Sequence, residues 1–529
     1  MVIINILVIA GVVLVISLLA KTKQQVIPEQ DHGMMHEDVM SQPKTYLPQS
    51  SLTVQHAKPT QMIELKDGAV FSLRSSTVHQ EIGGNDHVMF GYNEQIPGPL
   101  LKVEQGSTIT VDFANALDAE TTVHWHGLRH NNKDDGVPDV TQPPVKPGES
   151  YTYTVSFPDA GVYWYHPHAR EDLQQDLGLA GNIIVMATDG SKPQVNREEI
   201  LMLDDLLLNN GKLVPYGEED ANFALMGRFG TVMMVNGKTD YTLEAKKGEV
   251  VRFYITNVAN VRPFKLSFGG AKMKLIGSDI GFYEREQFVE SIIIHPAERY
   301  IVDVFFEKEG LYALQHRHPH KTYDLGTITV TPDHATDDYT SQFMELQQRM
   351  PVKEDIDTFR HSFDEPIDYT IDLTADMMGM NTGMMEHMEM IKHAGEEETV
   401  EWEDPMPSMN ELITSKTITW SLQDRETGKK NMDFSMKANV GDTLKIRLFN
   451  DPDSVHPMQH PIHLHGQRFL VLSENGRPNN NLVWKDTVAV PKGGTTDILV
   501  DVTNPGEWML HCHIPEHLTA GMMTSLKVT

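Results

Sequence analysis

Cysteine, basic residues and helical periodicity are all scarce in this chain of 529 residues. The single cysteine, Cys512, excludes a fold held together by internal disulfide bonds. The chain has 44 Lys and Arg against 74 Asp and Glu, a formal net charge of −30. Such a surface repels nucleic acid and attracts cations, so we expect no nucleic-acid partner. The length exceeds what one hydrophobic core usually serves, which predicts roughly two to four domains.

Residues 1–20 form an apolar run of about the length that a membrane helix needs, ~20 residues. No basic residue precedes the run and its end is a poor cleavage site, which favours a membrane anchor over a cleaved signal segment. We expect an extracytoplasmic protein, at the cell surface or in the periplasm, anchored by this segment or secreted. Residues 21–55 are predicted to be a polar tether. Lys21 and Lys23 oppose this orientation, but a large following domain can outweigh two charges.

One sequence unit occurs three times. Each copy has a glycine, alternating apolar residues, and an asparagine nine places after the glycine: EQGSTITVDFAN (104–115), KKGEVVRFYITN (246–257) and NVGDTLKIRLFN (439–450). Alternation after a turn glycine predicts a half-buried strand. A second strand–turn–strand unit follows in each copy, with turn glycines Gly161, Gly310 and Gly506. We therefore predict an all-β fold of three Greek-key β-sandwich domains, at 56–190, 191–335 and 363–529, with a linker at 336–362.

Histidine pairs distinguish the two outer copies from the middle copy. The outer copies contain the pairs His124/His126, His166/His168, His463/His465 and His511/His513. At the corresponding offsets the middle copy has Leu266, Phe268, Gln315 and Arg317. On a strand, residues i and i+2 point the same way, so each pair places two imidazoles on one face. Eight imidazoles suit a cluster of three metal ions better than one tetrahedral zinc. We predict that the first and third domains share this cluster and that the middle domain is a spacer.

Cys512 should point to the strand face opposite to His511 and His513. The spacing predicts His460 and His517 as partners of the thiolate, with Met522 five residues beyond His517. Two histidines, one cysteine and a weak axial methionine are the ligands of a blue copper electron-transfer site. The backbone around Cys512 would then connect this copper to the cluster of three.

Four segments, HWHG, WYHPHAR, HPIHLHG and HCHIPEHLTAGMM, resemble the copper motifs of three-domain multicopper oxidases, the family of laccases and bacterial cuprous oxidases. The likeness runs from about residue 60 to residue 529. It implies cupredoxin-like domains, four copper ions, and reduction of O2 to water with electrons from a second substrate. It also implies a type 1 copper bound by His460, Cys512, His517 and Met522, a type 2 copper bound by His124 and His463, and a type 3 pair bound by His126, His166, His168, His465, His511 and His513.

The family resemblance also implies acidic residues that deliver protons to reduced oxygen. Asp135, nine residues after His126, matches the first of these, and we predict that it is a proton relay. Bacterial relatives often have a glutamate directly after the second type 1 histidine. This chain has Leu518 at that position, and the nearest acid is Glu516.

The third domain contains a Met-rich insert at 377–393, with seven methionines in fourteen residues. Methionine usually packs in cores, but the neighbours here are mostly polar, acidic or glycine. Thioether sulfur suits Cu(I), and some multicopper oxidases that resemble this chain collect Cu(I) in such an insert. We predict that the ligands of a substrate copper are Met377, Met378, Met380, Met384, Met385, Met388, Met390 and His387.

The leading hypothesis is a metallo-oxidase that oxidises Cu(I), or alternatively Fe(II), with weaker activity on phenols and a role in copper tolerance. Its expected partners are O2, the reduced metal ion and, through residues 1–20, a membrane, and we expect a monomer. One alternative is a laccase that acts on phenols and aromatic amines, with the Met-rich insert as a lid. A catalytically inactive scaffold and a copper nitrite reductase are further alternatives that the intact ligand motifs disfavour.

Overall fold

The structure is a computed structural model that describes residues 44–49, 54–188, 193–377 and 399–529. Most of its regular structure is β-strand, in paired sheets consistent with three cupredoxin domains. The predicted anchor at 1–20, most of the tether and nearly all of the Met-rich insert lie outside the described residues. Within the described ranges, no helix is both long and apolar enough to span a membrane.

The first sandwich packs a four-stranded sheet, in the order β4-β3-β6-β8, against a five-stranded sheet, in the order β2-β5-β10-β9-β7. The nine strands are β2 (Met62–Leu65), β3 (Val70–Ile82), β4 (Asn85–Tyr92), β5 (Leu100–Glu104), β6 (Thr108–Asn115), β7 (His124–His126), β8 (Ser150–Ser156), β9 (Gly161–His166) and β10 (Gly181–Met186). The short strand β1 (Thr45–Tyr46) precedes them and belongs to neither sheet. A 3-10 turn spans Asn132–Asp134, and the short helix α1 spans Glu171–Gln174.

The second sandwich pairs a six-stranded sheet, β15-β11-β17-β22-β19-β20, with a five-stranded sheet, β16-β24-β23-β18-β21. The eleven strands are β11 (Arg197–Leu206), β15 (Val232–Val235), β16 (Tyr241–Lys247), β17 (Glu249–Asn257), β18 (Phe264–Phe268), β19 (Lys272–Ser278), β20 (Gly281–Val289), β21 (Ile292–Ile294), β22 (Arg299–Phe306), β23 (Gly310–His318) and β24 (Lys321–His334). Three short strands between β11 and β15 belong to neither sheet: β12 (Leu208–Asn209), β13 (Lys212–Leu213) and β14 (Tyr216–Gly217). The two-residue strands β1 and β14 pair with each other.

Two helices precede the third sandwich, α2 (Thr340–Met344) and α3 (Met350–Asp357), followed by a 3-10 turn at Arg360–Ser362. They lie in the segment predicted as a linker. Asp355 of α3 accepts a hydrogen bond from the Trp484 indole at 2.7 Å, so this segment packs against the third domain.

The third sandwich pairs the sheet β26-β25-β28-β34-β30-β31, in which β32 also pairs with β30, with the sheet β27-β36-β35-β29-β33. Its strands are β25 (Tyr369–Met377), β26 (Ile418–Asp424), β27 (Ser435–Ala438), β28 (Thr443–Asn450), β29 (His460–Leu464), β30 (Arg468–Glu474), β31 (Arg477–Pro478), β32 (Trp484–Lys485), β33 (Thr487–Val490), β34 (Thr495–Asp501), β35 (Gly506–Cys512) and β36 (Met523–Val528). Two short helices, α4 (Pro407–Leu412) and α5 (Pro515–Thr519), and a 3-10 turn at Asn431–Asp433 complete it.

The repeated asparagine has the same structural task in each domain. Asn115, Asn257 and Asn450 end β6, β17 and β28, and all three are buried. Each side-chain amide donates to two backbone carbonyls, one of them in the loop that follows the strand, for example from Asn257 to Arg262 at 2.8 Å and to Ile294 at 3.0 Å. Buried carbonyls need such donors, so the asparagine fixes the loop that follows each strand. In the outer domains that loop leads to the His-x-His strand.

The middle domain differs in register from the outer domains. Counting from the turn glycine places Gln315 opposite Leu266, but the structure pairs Leu266 with His316. β23 is also irregular where it pairs with β24, because Leu325 of β24 has no partner between Leu314 and Gln315 in that ladder. Leu266 and Phe268 are buried in the core of this domain, where the outer domains have imidazoles.

Candidate metal centre

The four predicted histidine pairs lie on strands or directly after them, and antiparallel pairing brings them together. In the first domain β7 pairs with β9, so that His124 stands opposite His166. In the third domain β29 pairs with β35, so that His463 stands opposite His511. All eight imidazoles are buried.

The imidazoles of the first and third domains interleave at their interface. His126 stacks on His463 with ring centroids 3.7 Å apart, and His124 stacks on His465 at 4.0 Å. Ring nitrogens within 4.8 Å of one another form three groups: His124, His126 and His463; His126, His166 and His513; and His168, His465 and His511. Each group contains histidines from both domains. The histidines of the two outer domains therefore meet at one interface, as the predicted shared cluster requires.

Cys512 forms a second, separate group with His460 and His517. Its sulfur lies 3.6 Å from Nδ1 of His460 and 3.8 Å from Nδ1 of His517, and all three side chains are fully buried. His511 and His513, on either side in the chain, belong to the interdomain cluster. Met522 is buried in the same core as Cys512, and its carbonyl accepts a hydrogen bond from the Cys512 amide. Burial raises the pKa of the Cys512 thiol, so a bound cation would be needed to hold it as a thiolate.

Backbone and carboxylate acceptors determine which nitrogen of each imidazole faces the cluster. In four rings Nδ1–H donates to a backbone carbonyl at 2.7–2.9 Å. The pairs are His124 to Asp135, His166 to Pro167, His463 to Asp486, and His511 to Cys512. This leaves Nε2 of these rings with a lone pair. His126 has the opposite orientation, because its Nε2 lies 3.1 Å from Asp486 Oδ1 and its Nδ1 is left for a metal.

The buried ring nitrogens that have no hydrogen-bond partner fit a metal cluster. Nε2 of His124, His166, His168 and His463 and Nδ1 of His126 are buried and have no hydrogen-bond partner among the described residues. Nε2 of His465 and Nε2 of His511 lie 3.0 Å apart, although Nδ1 of each ring already donates its proton elsewhere. Burial and the neighbouring imidazoles lower the pKa of His465 and His511 well below the usual range, which favours the neutral, metal-binding form. Buried unpaired nitrogens of this kind require an explanation, and bound cations supply one.

Sequence comparison agrees with this geometry. Three family models, each described as multicopper oxidase, match residues 75–190, 164–332 and 401–529, and together they span most of the chain. The chain belongs to the multicopper oxidase family. It is an oxidoreductase of three domains that reduces O2.

Known relatives of this multicopper oxidase are distant in sequence but nearly full-length. The multicopper oxidase MmcO of Mycobacterium tuberculosis is 28% identical over 484 residues, covering 84% of this chain and 84% of that protein. Copper resistance protein A of Escherichia coli is 25% identical over 599 residues, covering 87% and 93%. Among solved structures, the McoA multicopper oxidase of Aquifex aeolicus has a TM-score of 0.67 at 25% identity and covers 90% of this chain and 100% of that chain.

Asp135 of the oxidase lies directly beside the cluster. Its Oδ2 accepts a hydrogen bond from Nδ1–H of His465 at 2.8 Å, and its Oδ1 lies 3.4 Å from Nδ1 of His124. Burial acts to raise the pKa of this carboxyl, but the facing imidazoles outweigh burial and hold its pKa well below the usual range. Asp135 therefore connects a histidine of the first domain to one of the third. Its predicted role as a proton relay stays a prediction.

Two acidic residues beside the cluster, Glu171 and Asp486, were missed in the sequence. Glu171 Oε1 lies 3.2 Å from Nδ1 of His168, and burial raises the pKa of Glu171. Glu516, the acid nearest to His517 in the sequence, is also buried, and burial, then the charge of Asp172, raise its pKa. Asp486 contacts His126 and His463. In the sequence, Glu171 could have been noticed because it follows His168 by three residues in WYHPHARED. Asp486, in WKDTV, is marked only by the adjacent Lys485.

The group of Cys512, His460 and His517, which is the predicted type 1 site, is covered by other parts of the chain. Trp420 stacks on His517 at 4.0 Å and meets His460 edge-on at 4.9 Å. The Trp420 indole donates to the carbonyl of Ala224, which belongs to a middle-domain loop. The Asn410 side chain of α4 holds the same loop through the carbonyl of Gly227 at 2.9 Å. Both type 1 histidines have 0% exposure.

Among the predicted substrate ligands, only Met377 falls within the described residues. It ends β25, pairs with Ile418 and packs against the core of the third domain. This placement favours a packing role for Met377. The other methionines of the insert and His387 lie outside the described residues.

Proposed function

We propose that this multicopper oxidase is a metallo-oxidase that oxidises Cu(I), with Fe(II) as a second donor, in copper tolerance. Four coppers would be held by the residues brought together above, one by Cys512, His460, His517 and Met522 and three by the eight clustered imidazoles. When bound, they would supply one-electron oxidation at the type 1 site and four-electron reduction of O2 at the cluster. In balance, four Cu(I) and one O2 with four protons give four Cu(II) and two water molecules.

Burial of the type 1 histidines is the observation that carries the choice of substrate. An organic donor such as a phenol transfers an electron best when its ring reaches a type 1 imidazole. His460 and His517 are fully buried behind Trp420 and the loop that contains Ala224. A small metal ion bound at the surface nearby needs no such contact, because electron transfer can pass through the covering residues.

The surroundings of the type 1 site favour a cation as donor. Burial, and after it the neighbouring His456, lower the pKa of His460 to about 3. The Glu401 carboxylate is 3.7 Å from Nε2 of His456, and Glu403 and Asp404 follow in the same segment. This acidic segment begins eight residues after the end of the Met-rich insert. Carboxylates draw in cations, and soft thioethers prefer Cu(I) among them.

The name of one relative agrees with this proposal, since the Escherichia coli protein is described as a copper resistance protein. The second candidate is a laccase in which the Met-rich insert is only a lid.

Deletion of residues 377–393 distinguishes the two candidates by oxygen consumption with Cu(I), Fe(II) and a phenol as donors. A metallo-oxidase should lose cuprous turnover and gain phenol oxidation. A fall in phenol oxidation with unchanged cuprous turnover would contradict the proposal.

Methionine-to-leucine substitution sharpens this test, because leucine keeps an apolar lid but removes the sulfur ligands. Replacement of Met384, Met385, Met388 and Met390 by leucine should raise the Cu(I) concentration needed for half-maximal turnover. Met350→Leu and Met432→Leu are matched controls, since these methionines are exposed and lie outside the insert. If the insert variant matched these controls, the insert would not be a copper-collecting site.

We further propose that the oxidase is extracytoplasmic, held by residues 1–20, and monomeric. The contribution of all cluster histidines by one chain supports the monomer. Fractionation of cells that express the full chain and a chain lacking residues 1–20 tests the location. Full-length protein in the soluble cytoplasmic fraction would contradict it.

A further inference from the structure

The middle domain, which contains none of the predicted copper ligands, reaches the trinuclear cluster through Arg299. This residue begins β22 and its side chain is fully buried. Its Nε donates to the carbonyl of Val162 at 2.8 Å, on the first-domain strand that ends in His166. Its two terminal nitrogens bind Asp486 of the third domain, at 2.7 and 2.5 Å. One guanidinium therefore joins all three domains.

Asp486, in turn, contacts one histidine of each outer domain. Its Oδ1 accepts from Nε2–H of His126 at 3.1 Å, and its backbone carbonyl accepts from Nδ1–H of His463 at 2.9 Å. The Thr487 hydroxyl also donates to Oδ1, at 2.8 Å. The carboxylate thus keeps the proton of His126 on Nε2 and leaves Nδ1 as the metal-binding atom. A partner that fixes the tautomer of a ligating histidine contributes directly to metal affinity.

Arg299 supplies the positive charge that stabilises the buried carboxylate of Asp486. It also lies 3.6 Å from Asp279 Oδ1, and Lys485 lies 3.1 Å from Asp279 Oδ2, so the charges alternate in sign. Burial acts to raise the pKa of Asp486, and the Arg299 charge outweighs burial and lowers it well below the usual range. Without Arg299, two buried carboxylates would lack their shared cation, which is strongly unfavourable.

We infer that Arg299 of the middle domain is a positioning residue for the trinuclear cluster, acting on His126 through Asp486. This inference rests on the proposed copper content of the cluster. It changes the role of the middle domain, because docking of that domain and copper retention by the outer domains become thermodynamically linked. The type 1 site, which Arg299 does not contact, should be independent of this link.

The test is Arg299→Gln, with Arg252→Gln as a matched control. Arg252 is also fully buried in the middle domain and binds one carboxylate, Asp303, at 2.8 and 2.9 Å. Both variants break a buried pair, but only one pair contacts the cluster. We expect Arg299→Gln to weaken copper binding at the cluster by about 10- to 100-fold, the usual effect of losing a partner of a metal ligand.

Copper counting by elemental analysis and electron paramagnetic resonance provide the readouts. Arg299→Gln should keep the blue type 1 signal and lose type 2 signal, falling towards one copper per chain after mild chelation. Arg252→Gln should keep four. Arg299→Lys, which retains the charge but not the paired geometry, should recover part of the copper. Unchanged copper affinity and type 2 signal in Arg299→Gln, or equal losses in both variants, would overturn the inference.

A second variant covers the case in which the arginine variants do not fold. Asp486→Asn is nearly isosteric and removes the charge from the same link, so it should show the same selective loss of cluster copper. Full copper retention in Asp486→Asn would overturn the inference. A wild-type chain that holds fewer than four coppers when reconstituted would instead overturn the proposed function, so the two failures are distinguishable.

Discussion

Replacement of Gly127, the glycine of the HWHG motif, by alanine should be strongly unfavourable, because the added Cβ would collide with side chains of the middle and third domains. Its φ is +86°, and a Cβ atom there would lie 2.4 Å from Asp486 Oδ2 and 2.8 Å from Arg299 Nη2. The closest ordinary contact is 3.4 Å, so the carboxylate would have to retreat by 3.4 − 2.4 = 1.0 Å. A shift of that size would break the 3.1 Å hydrogen bond from His126.

The expected cost of Gly127→Ala has two parts. A non-glycine residue in a left-handed conformation costs roughly 1–2 kcal/mol. Disruption of the buried pair of Arg299 and Asp486 adds roughly 3–5 kcal/mol. The second part should appear mainly as lost copper at the cluster, because the pair is attached to His126 and His463.

Gly106→Ala is the matched control for the backbone part. Gly106 has a φ of +88°, and no atom lies within 4 Å of a Cβ added there. Thermal unfolding followed with and without copper should show a small loss of stability in Gly106→Ala and a full copper count. Gly127→Ala should be less stable by the larger amount and keep the blue type 1 copper only. Equal stability and equal copper content in the two variants would refute this reasoning.

Three further predictions concern single side chains. Cys512→Ser should abolish the blue absorption and turnover while the cluster keeps its three coppers, as measured by elemental analysis; retained blue colour would contradict the assignment. Asp135→Asn should leave the blue colour intact and slow O2 reduction sharply, so unchanged turnover would exclude a relay role. Burial raises the pKa of Asp176 to about 7, against the opposing effects of Arg228 and Tyr216. Because this folded-state pKa exceeds the unfolded value of about 4, the group stabilises the fold at low pH, and the stabilisation is lost as pH rises to about 7. In Asp176→Asn the unfolding temperature should therefore fall less than in the wild type as pH rises to about 7. An equal fall in both proteins would contradict the raised pKa of Asp176.

The sequence predicts those parts of the site that follow from short spacings. A period of two places paired imidazoles on one face of a strand, and the alternation puts Cys512 opposite to His511 and His513. Both expectations agree with the structure. Repetition of the unit with Gly106 and Asn115 likewise predicts three similar β-domains. These features depend on local backbone geometry, which neighbouring residues determine.

Features that depend on packing between domains could not be predicted in this way. Arg299 and Asp486 lie 187 residues apart in the chain and belong to none of the four copper motifs. In the middle domain Leu266 pairs with His316 and not with Gln315, whereas counting from the turn glycine assumes that all three domains share one register. Cover of the type 1 site by Trp420 likewise depends on contacts with a middle-domain loop.

Because the cluster is divided between the first and third domains, the middle domain has to hold these two domains in an accurate relative position. Each of the three groups of imidazoles draws on both the first and the third domain, so no group can form within one domain alone. The relative position of the two domains therefore decides whether the lone pairs meet. Arg299 binds the Val162 carbonyl on one side and Asp486 on the other, and so sets that position within hydrogen-bond tolerance. A middle domain that has no copper ligands can thus be retained because copper binding by its neighbours depends on it.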